Sequence, residues 1–412
     1  MTARVRLVAA AVVAAAILLV LARPAPAPAA PPAIRAPAAI LVEPATGDVV
    51  YQRNATRPRA IASTTKLMTV LLTLEKTKLS QTMVAVPYHA LPAESVIGLR
   101  AGERLTVADL LRGVLLASAN DAAATLATRI GGSQKAFVAM MNRRARELRL
   151  THTHYATPIG LDAPGNYSSA EDLVKLTLLL RRNEFFRQVT DLPRATLTSG
   201  AHPRAIVNRN TLVRTVPEVN GVKTGHTINA GYVLVGSASK KGITVISAVL
   251  GDPSEAARDA DSLALIRYGL ARYHRATPVR RDHVYATVKL AHRDQRAQLV
   301  ATRTVIRTAR RGEKLPVRML GVPSELDGPL PAGSRVGTII VRQRGRTVAR
   351  VPLVTRRPIA AASVLQRGDD VLGRTLTVVI LSVVALASLQ LVLLRRRAVR
   401  RRRRRAGSSG IA

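Results

Sequence analysis

Several side-chain chemistries are absent or scarce in this 412-residue chain. It has no cysteine, so disulfide bonds, thiolate metal sites and a cysteine nucleophile are all excluded. It has no tryptophan and only three phenylalanines, so the aromatic rings on which nucleic-acid bases stack are poorly supplied. A chain without cysteine is compatible with export, but this absence alone assigns no compartment.

Acidic residues are also few. The chain has 25 Asp and Glu against 63 Lys and Arg, a formal net charge of +38. Such a charge can attract nucleic acid, a membrane surface or an anionic polymer. Nine arginines lie in RRRAVRRRRRR at 395–405, and no nucleic-acid-binding motif accompanies the others, so we expect no nucleic-acid partner. A membrane protein that binds a polyanion through its arginines stays an alternative.

The N-terminus has the pattern of a secretory signal peptide. Arg4 and Arg6 precede an apolar run at 7–22, and small residues with A-x-A spacing follow it. We expect a signal peptide at 1–30, cleaved near its end, and a Pro/Ala-rich linker at 31–38. An uncleaved signal anchor is the alternative, and either outcome exports the domain that follows.

The C-terminus contains a candidate membrane span, 20 residues without a charge at 375–394. At 1.5 Å per residue, a helix of this length crosses the ~30 Å hydrocarbon core of a bilayer. The arginine-rich tail at 395–412 follows directly, and the positive-inside rule makes it cytoplasmic. We therefore expect a single-pass protein of the cell membrane, with residues 31–370 on the extracytoplasmic side.

Between these ends, the hydrophobic patterns predict an α+β domain at 39–275 and a smaller all-β domain at 276–365. Apolar stretches around PATG predict a hairpin at 39–54, and GYVLVGSASKKGITVISAVLG at 231–251 predicts two further strands. Strands at both ends of a helical region indicate one antiparallel sheet with helices packed against it. Helices are predicted from Ser63 onwards and at 106–130, 133–150, 168–183 and 254–273. Ser168 or Ser169 is expected to cap the helix at 168–183, and a Lys-Lys-Gly turn is expected between the two strands at 231–251.

The first of three motifs that carry chemistry is Ser63-Thr64-Thr65-Lys66. If Ser63 begins a helix, Lys66 lies one turn further on the same face, beside the positive end of the helix. A serine hydroxyl needs a base within reach, and a lysine can serve if burial or a second cation lowers its pKa. The alternative is a helix cap followed by a core helix. The same spacing recurs at Ser237–Lys240. A hairpin is predicted there, so we interpret this second copy as part of a turn.

The other two motifs are as short and, taken alone, as ambiguous. In Ser118-Ala119-Asn120, at a break between helices, the serine could relay a proton and the amide could hold a substrate carbonyl or amide; a capping turn fits equally well. In Lys223-Thr224-Gly225, a cation and a hydroxyl suit a carboxylate, and the glycine would let a substrate backbone pair with the strand; a surface turn is the alternative. We also expect Lys223 to be the second cation that lowers the pKa of Lys66.

The three motifs together, in this order, are far more specific than any one of them. On these residues the chain resembles the serine-type D-Ala-D-Ala carboxypeptidases, the low-molecular-mass penicillin-binding proteins. Longer blocks are similar too, among them THYATPIGLDAPGNYSSAEDLVKL and VNGVKTGHTINAGYVLVGSASKKGITVISAVLG. The resemblance covers 39–275 and, more loosely, the β region to 365, and it implies a penicillin-binding, serine β-lactamase-like transpeptidase fold. The predicted membrane helix departs from members with an amphipathic C-terminal anchor.

The resemblance implies a peptidoglycan stem peptide ending in D-Ala-D-Ala as substrate, and no cofactor or metal. Ser63 would attack the carbonyl between the two D-alanines and form an acyl-enzyme, with Lys66 taking its proton. A β-lactam antibiotic, which resembles the same dipeptide, would acylate Ser63 as a covalent inhibitor. The other implied roles are proton transfer to the leaving D-alanine by Ser118, positioning of the acyl-side amide by Asn120, carboxylate binding by Lys223 and Thr224, and an oxyanion hole formed by the backbone N–H groups of Ser63 and His226.

Three other functions stay open at this point. The first is a β-lactamase, although no counterpart of the deacylating glutamate of the class A enzymes is identified and Asp162 belongs by its surroundings to a turn. The second is a catalytically idle scaffold that binds the cell wall. The third is a zinc peptidase: His152 and His154 form an H-x-H pair, but no third ligand has a recognisable spacing and H-E-x-x-H is absent.

Overall fold

The computed structural model describes residues 30–406. The predicted signal peptide at 1–30 lies outside this range except for its last residue, and the end of the predicted tail, 407–412, lies outside it as well. The chain divides into two compact units. The first extends to Arg275 and includes Thr308–Gly312, whereas the second comprises Ala276–Arg307 and the chain from Glu313 onwards.

A five-stranded antiparallel sheet is the centre of the first unit. The N-terminal hairpin pairs with a strand from the far end of the unit, and Ile40 lies opposite Ala248. Both ends of the domain therefore contribute to one sheet, as the sequence predicts. In spatial order the strands are β2 (Asp48–Arg53), β1 (Ala38–Glu43), β9 (Ile243–Asp252), β8 (Gly231–Lys240) and β7 (Val219–Thr227).

Helices cover both faces of this sheet, so the predicted α+β fold is confirmed. Two small strand pairs, β3 (Thr82–Val84) with β4 (Arg104–Thr106) and β5 (Arg194–Leu197) with β6 (Arg204–Val207), lie in the helical region. The helices are α1 (Lys66–Lys76), α2 (Val107–Arg112), α3 (Asn120–Gly131), α4 (Gln134–Glu147), α5 (Ala170–Leu180), α6 (Glu184–Asp191), α7 (Thr211–Thr215) and α8 (Glu255–Arg272).

Strand β1 is buried along its whole length because apolar cores lie on both sides of it. Ile40 belongs to the larger core, together with Leu67 of α1. Its neighbour Leu41 points to the opposite face and belongs to a second core with Leu265 of α8. The alternation of a strand thus explains why the five apolar residues of β1, AAILV, are all buried.

Two local predictions are resolved by side-chain and backbone geometry. Of the two serines proposed to cap α5, Ser169 is the cap: its hydroxyl accepts a hydrogen bond of 3.1 Å from the backbone N–H of Asp172. The turn between β8 and β9 contains Lys241 and Gly242, both with positive φ (49° and 75°). Such dihedrals match the twist of a tight hairpin, as the Lys-Lys-Gly sequence predicts.

Most elements of the second unit are strands. The remaining strands of the chain are β10 (Tyr273–Val279), β11 (Val284–Leu290), β12 (Arg296–Ala301), β13 (Val305–Arg310), β14 (Val317–Leu320), β15 (Glu325–Leu326), β16 (Arg335–Gln343) and β17 (Arg346–Thr355). One six-stranded sheet has the order β14-β16-β17-β12-β11-β15, and its core contains the fully buried side chains of Leu299, Ile339 and Val351.

A long helix, α9 (Val364–Ala406), ends the described chain. Within the described residues it is the one helix long and apolar enough to cross a membrane, over Thr375–Arg400. This candidate span contains the uncharged 375–394 predicted from the sequence. It is longer because the helix continues into the arginine cluster.

A pair of buried carboxyl groups holds the segment before β1. Asp261 of α8 accepts backbone N–H hydrogen bonds from Arg35 (2.5 Å) and Ala36 (2.8 Å). Asp252, at the end of β9, is fully buried beside it, and its oxygens have no hydrogen-bond donor among the described residues. Burial and the neighbouring Asp261 carboxylate together raise the pKa of Asp252 to about 7.

The raised pKa predicts how Asp252→Asn changes stability. Between about pH 4 and 7, Asp252 takes up a proton when the chain folds. The free energy of unfolding therefore falls as the pH rises through this window. Asparagine carries no charge, so we expect Asp252→Asn to raise the melting temperature by several degrees at pH 8 and to change it little at pH 4. Calorimetry at both pH values checks this, with the exposed Asp191→Asn as control. An equal change at both pH values would contradict it.

Candidate active site

Ser63 and Lys66 lie one turn apart where the chain enters α1. Ser63 belongs to a short 3-10 turn, Ala62–Thr65, and Lys66 is the first residue of the helix. The Lys66 ammonium nitrogen, Nζ, donates a hydrogen bond of 2.8 Å to Ser63 Oγ and one of 2.5 Å to the backbone carbonyl of Ile159. The lysine is fully buried. A serine hydroxyl and an amine are therefore paired as a nucleophile and base require.

Burial is what makes Lys66 a base. Desolvation lowers its pKa from 10.5 to about 7, against the opposing influence of the Glu94 and Asp121 carboxylates. Near neutral pH a large fraction of Lys66 is therefore a free amine. The expectation that Lys223 lowers this pKa is wrong, since Lys223 is not among its causes. The repulsion acts the other way: burial first, and then the charge of Lys66, hold the pKa of Lys223 well below its ordinary value.

A second serine–lysine pair faces the first. Ser118 follows a π-helical turn, Gly113–Ala117, and has a left-handed backbone conformation (φ 61°) before α3 begins. Lys223 of β7 is buried and donates 2.9 Å hydrogen bonds to Ser118 Oγ and to the carbonyl of Thr224. The structure thus brings Ser118 and Lys223, 105 residues apart in sequence, into one site.

Strand β7 passes beside the turn that carries Ser63. A Cβ atom at Gly225 would lie 3.0 Å from the backbone nitrogen of Ser63 and 3.1 Å from the carbonyl oxygen of Ile61, so any larger residue would require the strand and the turn to move apart by a few tenths of an ångström. The ring of His226 stacks on Tyr232, with 4.0 Å between centroids. One cleft of about 1090 Å³ is lined by residues of all three motifs, namely Ser63, Ser118, Thr224 and Gly225, and also by His226.

Asn120 is buried at the first turn of α3. Its side-chain nitrogen, Nδ2, donates a hydrogen bond of 2.6 Å to Glu94 Oε2, and its backbone N–H donates to the carbonyl of Ser95 (2.7 Å). Its Oδ1 atom has no hydrogen-bond partner among the described residues. Sequence reasoning missed Glu94, because it lies in an irregular segment and no motif marks it.

The cleft is also lined by four arginines that sequence reasoning did not single out, namely Arg204, Arg209, Arg214 and Arg258. Two of them are neutralised: Arg204 pairs with Glu103 (2.8 Å), and Arg258 pairs with Asp259 (2.7 Å). Arg209 instead donates to the carbonyl of Ala117, next to Ser118, at 3.3 Å. Its charge suits an anionic ligand. Because arginine is so common in this chain, no single arginine can be identified from the sequence as a functional residue.

The histidine and aspartate candidates lie elsewhere. His154 Nδ1 lies 2.6 Å from the carbonyl of Gly165, and within residues 30–406 no three His, Asp or Glu side chains, His152 included, are arranged to hold a metal ion. Asp162 accepts hydrogen bonds from Thr227 Oγ1 (2.6 Å) and the backbone of Asn229 (3.1 Å). It therefore braces the turn between β7 and β8.

The second S-x-x-K copy has a different environment. Ser237 is buried in β8, and its hydroxyl has no partner among the described residues. Lys240, at the exposed end of the strand, pairs with Glu218 at 2.6 Å. A strand places residues i and i+3 on opposite faces, so the two side chains do not meet.

Comparison with known proteins places this site in context. Residues 25–254 match the family model described as D-alanyl-D-alanine carboxypeptidase. The chain is 31% identical over 336 residues to D-alanyl-D-alanine carboxypeptidase DacF of Bacillus subtilis. The aligned region covers 79% of this chain and 86% of that protein.

Solved structures are similar over comparable lengths. Penicillin-binding protein 5 from Haemophilus influenzae has a TM-score of 0.58 and 28% identity, covering 81% of this chain and 99% of that one. The Streptomyces K15 DD-transpeptidase has a TM-score of 0.56 and 31% identity, covering 59% of this chain and 100% of that one.

The lowered pKa of Lys66 predicts the pH dependence of Ser63 reactivity. The active form has a neutral Lys66, so the rate of modification of Ser63 by an uncharged acylating agent should rise about tenfold per pH unit below 7 and level off above it. Stopped-flow or mass-spectrometric rates between pH 5 and 9 check this. Lys66→Ala should be slow and should lose the dependence. An inflection near 10 in the unmodified protein would show instead that Lys66 is not desolvated.

Proposed function

Because the chain belongs to the D-alanyl-D-alanine carboxypeptidase family of serine-type peptidases, we propose that it removes the terminal D-alanine from peptidoglycan stem peptides through an acyl-enzyme at Ser63. The observation that carries this proposal is the 2.8 Å hydrogen bond between Ser63 Oγ and a buried Lys66 whose pKa is lowered to about 7. The nucleophile and the base are thus in contact before substrate binds.

Acylation begins with the transfer of the Ser63 hydroxyl proton to neutral Lys66. Oγ forms a bond to the carbonyl carbon between the two D-alanines, and the carbonyl oxygen becomes an oxyanion. The backbone N–H groups of Ser63 and His226 stabilise it, the former beside the N-terminus of α1. Gly225 keeps this space open, because a side chain there would meet the Ser63 nitrogen.

The second serine–lysine pair serves the leaving group. As the carbon–nitrogen bond breaks, Ser118 gives its proton to the departing D-alanine amine. Ser118 is reprotonated with the proton that Lys66 took from Ser63, a transfer assisted by Lys223, which is 2.9 Å from the Ser118 hydroxyl, and Lys66 is again a neutral amine. Water then attacks the ester carbonyl, Lys66 again accepts and returns the proton, and Ser63 is released. The net reaction is hydrolysis of one peptide bond.

Substrate recognition follows from the charge and shape of the cleft. The terminal carboxylate binds near Thr224 and Lys223, where Arg209 adds a positive charge. The peptide backbone pairs with the edge of β7 beside Gly225, and the buried Asn120 amide receives the acyl-side amide. No cofactor is required by this chemistry.

β-Lactam acylation is part of the same proposal, since these drugs present a reactive amide and a carboxylate to the same groups. Rapid β-lactam hydrolysis is less well supported, because the Asp162 carboxylate is engaged in the turn between β7 and β8 and is not among the residues that line the cleft. Transfer of the acyl group to an amine, as the name of the K15 enzyme indicates for that protein, would use the same acyl-enzyme.

The central experiment follows release of D-alanine from a pentapeptide ending in D-Ala-D-Ala and labelling by a fluorescent penicillin. We expect loss of one alanine and one labelled peptide containing Ser63. Ser63→Ala should abolish both, because no nucleophile remains. Ser237→Ala, which alters the other S-x-x-K copy, is the matched control and should retain both.

Three other outcomes would each exclude the proposal in a different way. Intact peptide with no label would favour an idle scaffold. Fast nitrocefin turnover without a lasting adduct would favour a β-lactamase. Cleavage that survives Ser63→Ala would require a different nucleophile.

We further propose that α9 anchors the protein in the cell membrane, with its arginine cluster cytoplasmic and residues 31–370 outside. The apolar span Thr375–Arg400 and the arginines that follow support this orientation. A membrane-impermeant penicillin conjugate should label the full chain in sealed spheroplasts as strongly as in lysed ones. Labelling only after lysis would reverse the orientation.

A further inference from the structure

We propose that Tyr232 is a positioning residue for the reaction: its ring holds the ring of His226 and so fixes the end of strand β7, which keeps the backbone N–H of His226 in the oxyanion hole. This inference rests on the proposed function, in which the N–H groups of His226 and Ser63 bind the oxyanion.

Strand β7 lies at the edge of its sheet, so a neighbouring strand, β8, holds it on one side only. Its other side faces the turn that carries Ser63. Gly225 has no side chain to anchor the strand there, and a Cβ atom would lie only 3.0 Å from the Ser63 nitrogen. Beyond Gly225, the position of the strand therefore depends on the contacts of His226 and Thr227.

His226 lies directly opposite Tyr232 in the antiparallel ladder. Two residues that lie opposite each other in such a ladder exchange either both backbone hydrogen bonds or none. The proposed function directs the His226 N–H to the cleft, so this pair exchanges none. The contact that joins the two residues is then the stacking of their rings, with 4.0 Å between the centroids and 29° between the planes.

Few other contacts secure this end of the strand. Within the described part of the chain, the His226 side chain makes no hydrogen bond or ion pair, and Ile228 in the turn beyond it is 94% exposed. The second anchor is the Thr227 hydroxyl, which donates a hydrogen bond of 2.6 Å to Asp162 at the surface. Loss of the Tyr232 ring should therefore displace the strand end without releasing it.

A displacement at this point reaches the reacting atoms directly. Both rings line the cleft that contains Ser63, and His226 follows Gly225, which touches the Ser63 turn. A hydrogen-bond donor stabilises an oxyanion only at the right distance and angle, and its contribution weakens steeply when it moves out of line. Tyr232 thus acts on the reaction through the placement of the His226 N–H.

Two substitutions of Tyr232 test the proposal, with kcat/KM for D-alanine release and the rate constant for penicillin acylation as readouts. We expect Tyr232→Ala to lower both about tenfold, less than the loss caused by removing an oxyanion-hole donor outright. Tyr232→Phe keeps the ring and should retain most of the activity. An equal loss in Tyr232→Phe would show that the hydroxyl matters and the stacking does not, and it would overturn the proposal.

A double-mutant cycle tests whether Tyr232 acts through His226. The His226→Ala variant keeps the backbone N–H and removes the ring. In that background Tyr232→Ala should have almost no further effect, because no ring remains to be held. Equal losses from Tyr232→Ala in both backgrounds would contradict a role that passes through His226.

Substrate affinity supplies a readout that separates positioning from a change in the shape of the cleft. The oxyanion exists only during the reaction, so its donors act on kcat and little on the binding of intact peptide. We expect Tyr232→Ala to change the Kd of the pentapeptide for the Ser63→Ala protein by less than about twofold, while it lowers kcat when Ser63 is present. A loss found in Kd alone would reject the positioning role.

Controls separate the possible failures. Tyr285→Ala removes the ring of another His–Tyr pair, 5.0 Å from His283 in the second unit, and should leave the rates unchanged; an equal loss there would overturn the proposal. Melting temperatures report any loss of folding. D-alanine release by the unchanged protein with equal losses in the cycle would reject the role of Tyr232 alone. No release and no acylation by the unchanged protein would reject the proposed function.

Discussion

The site depends on the burial of two lysine side chains, each within hydrogen-bonding distance of a serine hydroxyl. Lys66 and Lys223 are almost inaccessible to solvent, and an ammonium buried without a counter-ion is strongly unfavourable. The protein meets this constraint by lowering both pKa values. A neutral amine is also what a general base must be. The burial that disfavours the charged form of the lysine therefore creates the base. The Glu94 and Asp121 carboxylates limit how far the pKa of Lys66 falls.

Such burial requires that separate chain segments approach closely, and two glycines permit it. A Cβ atom at Gly160, where φ is 85°, would lie 2.1 Å from the carbonyl oxygen of Ala62, so the segment that offers the Ile159 carbonyl to Lys66 could not approach with a side chain there. Gly225 has the same role on the side of β7. The distances among the catalytic groups are thus set by backbone packing, before any side chain adjusts.

Much of this arrangement is predictable from sequence, because it depends on periodicity and on short motifs. The α+β fold, the hairpins and the helix capped by Ser169 follow from local patterns. Glu94 and the Ile159 carbonyl do not, since both lie in irregular segments, 26 and 93 residues away in sequence from Asn120 and Lys66, which they contact. The expected effect of Lys223 on Lys66 was wrong for a related reason. The two amines are equally buried, so which of them loses its charge first depends on the charges that the fold places around each, carboxylates near Lys66 and cations near Lys223, and no spacing encodes these.

The two S-x-x-K copies separate what a motif contributes from what the fold contributes. At Ser63 the backbone turns into a helix, so a spacing of three brings the amine to 2.8 Å from the hydroxyl. At Ser237 the backbone is extended, and the same spacing sends Lys240 to the surface, where Glu218 pairs with it. The same two residues at the same spacing thus give a lysine with a lowered pKa in one place and an ordinary surface ion pair in the other. The chemistry is a property of helical geometry combined with exclusion of water, and the motif is informative only where both are present.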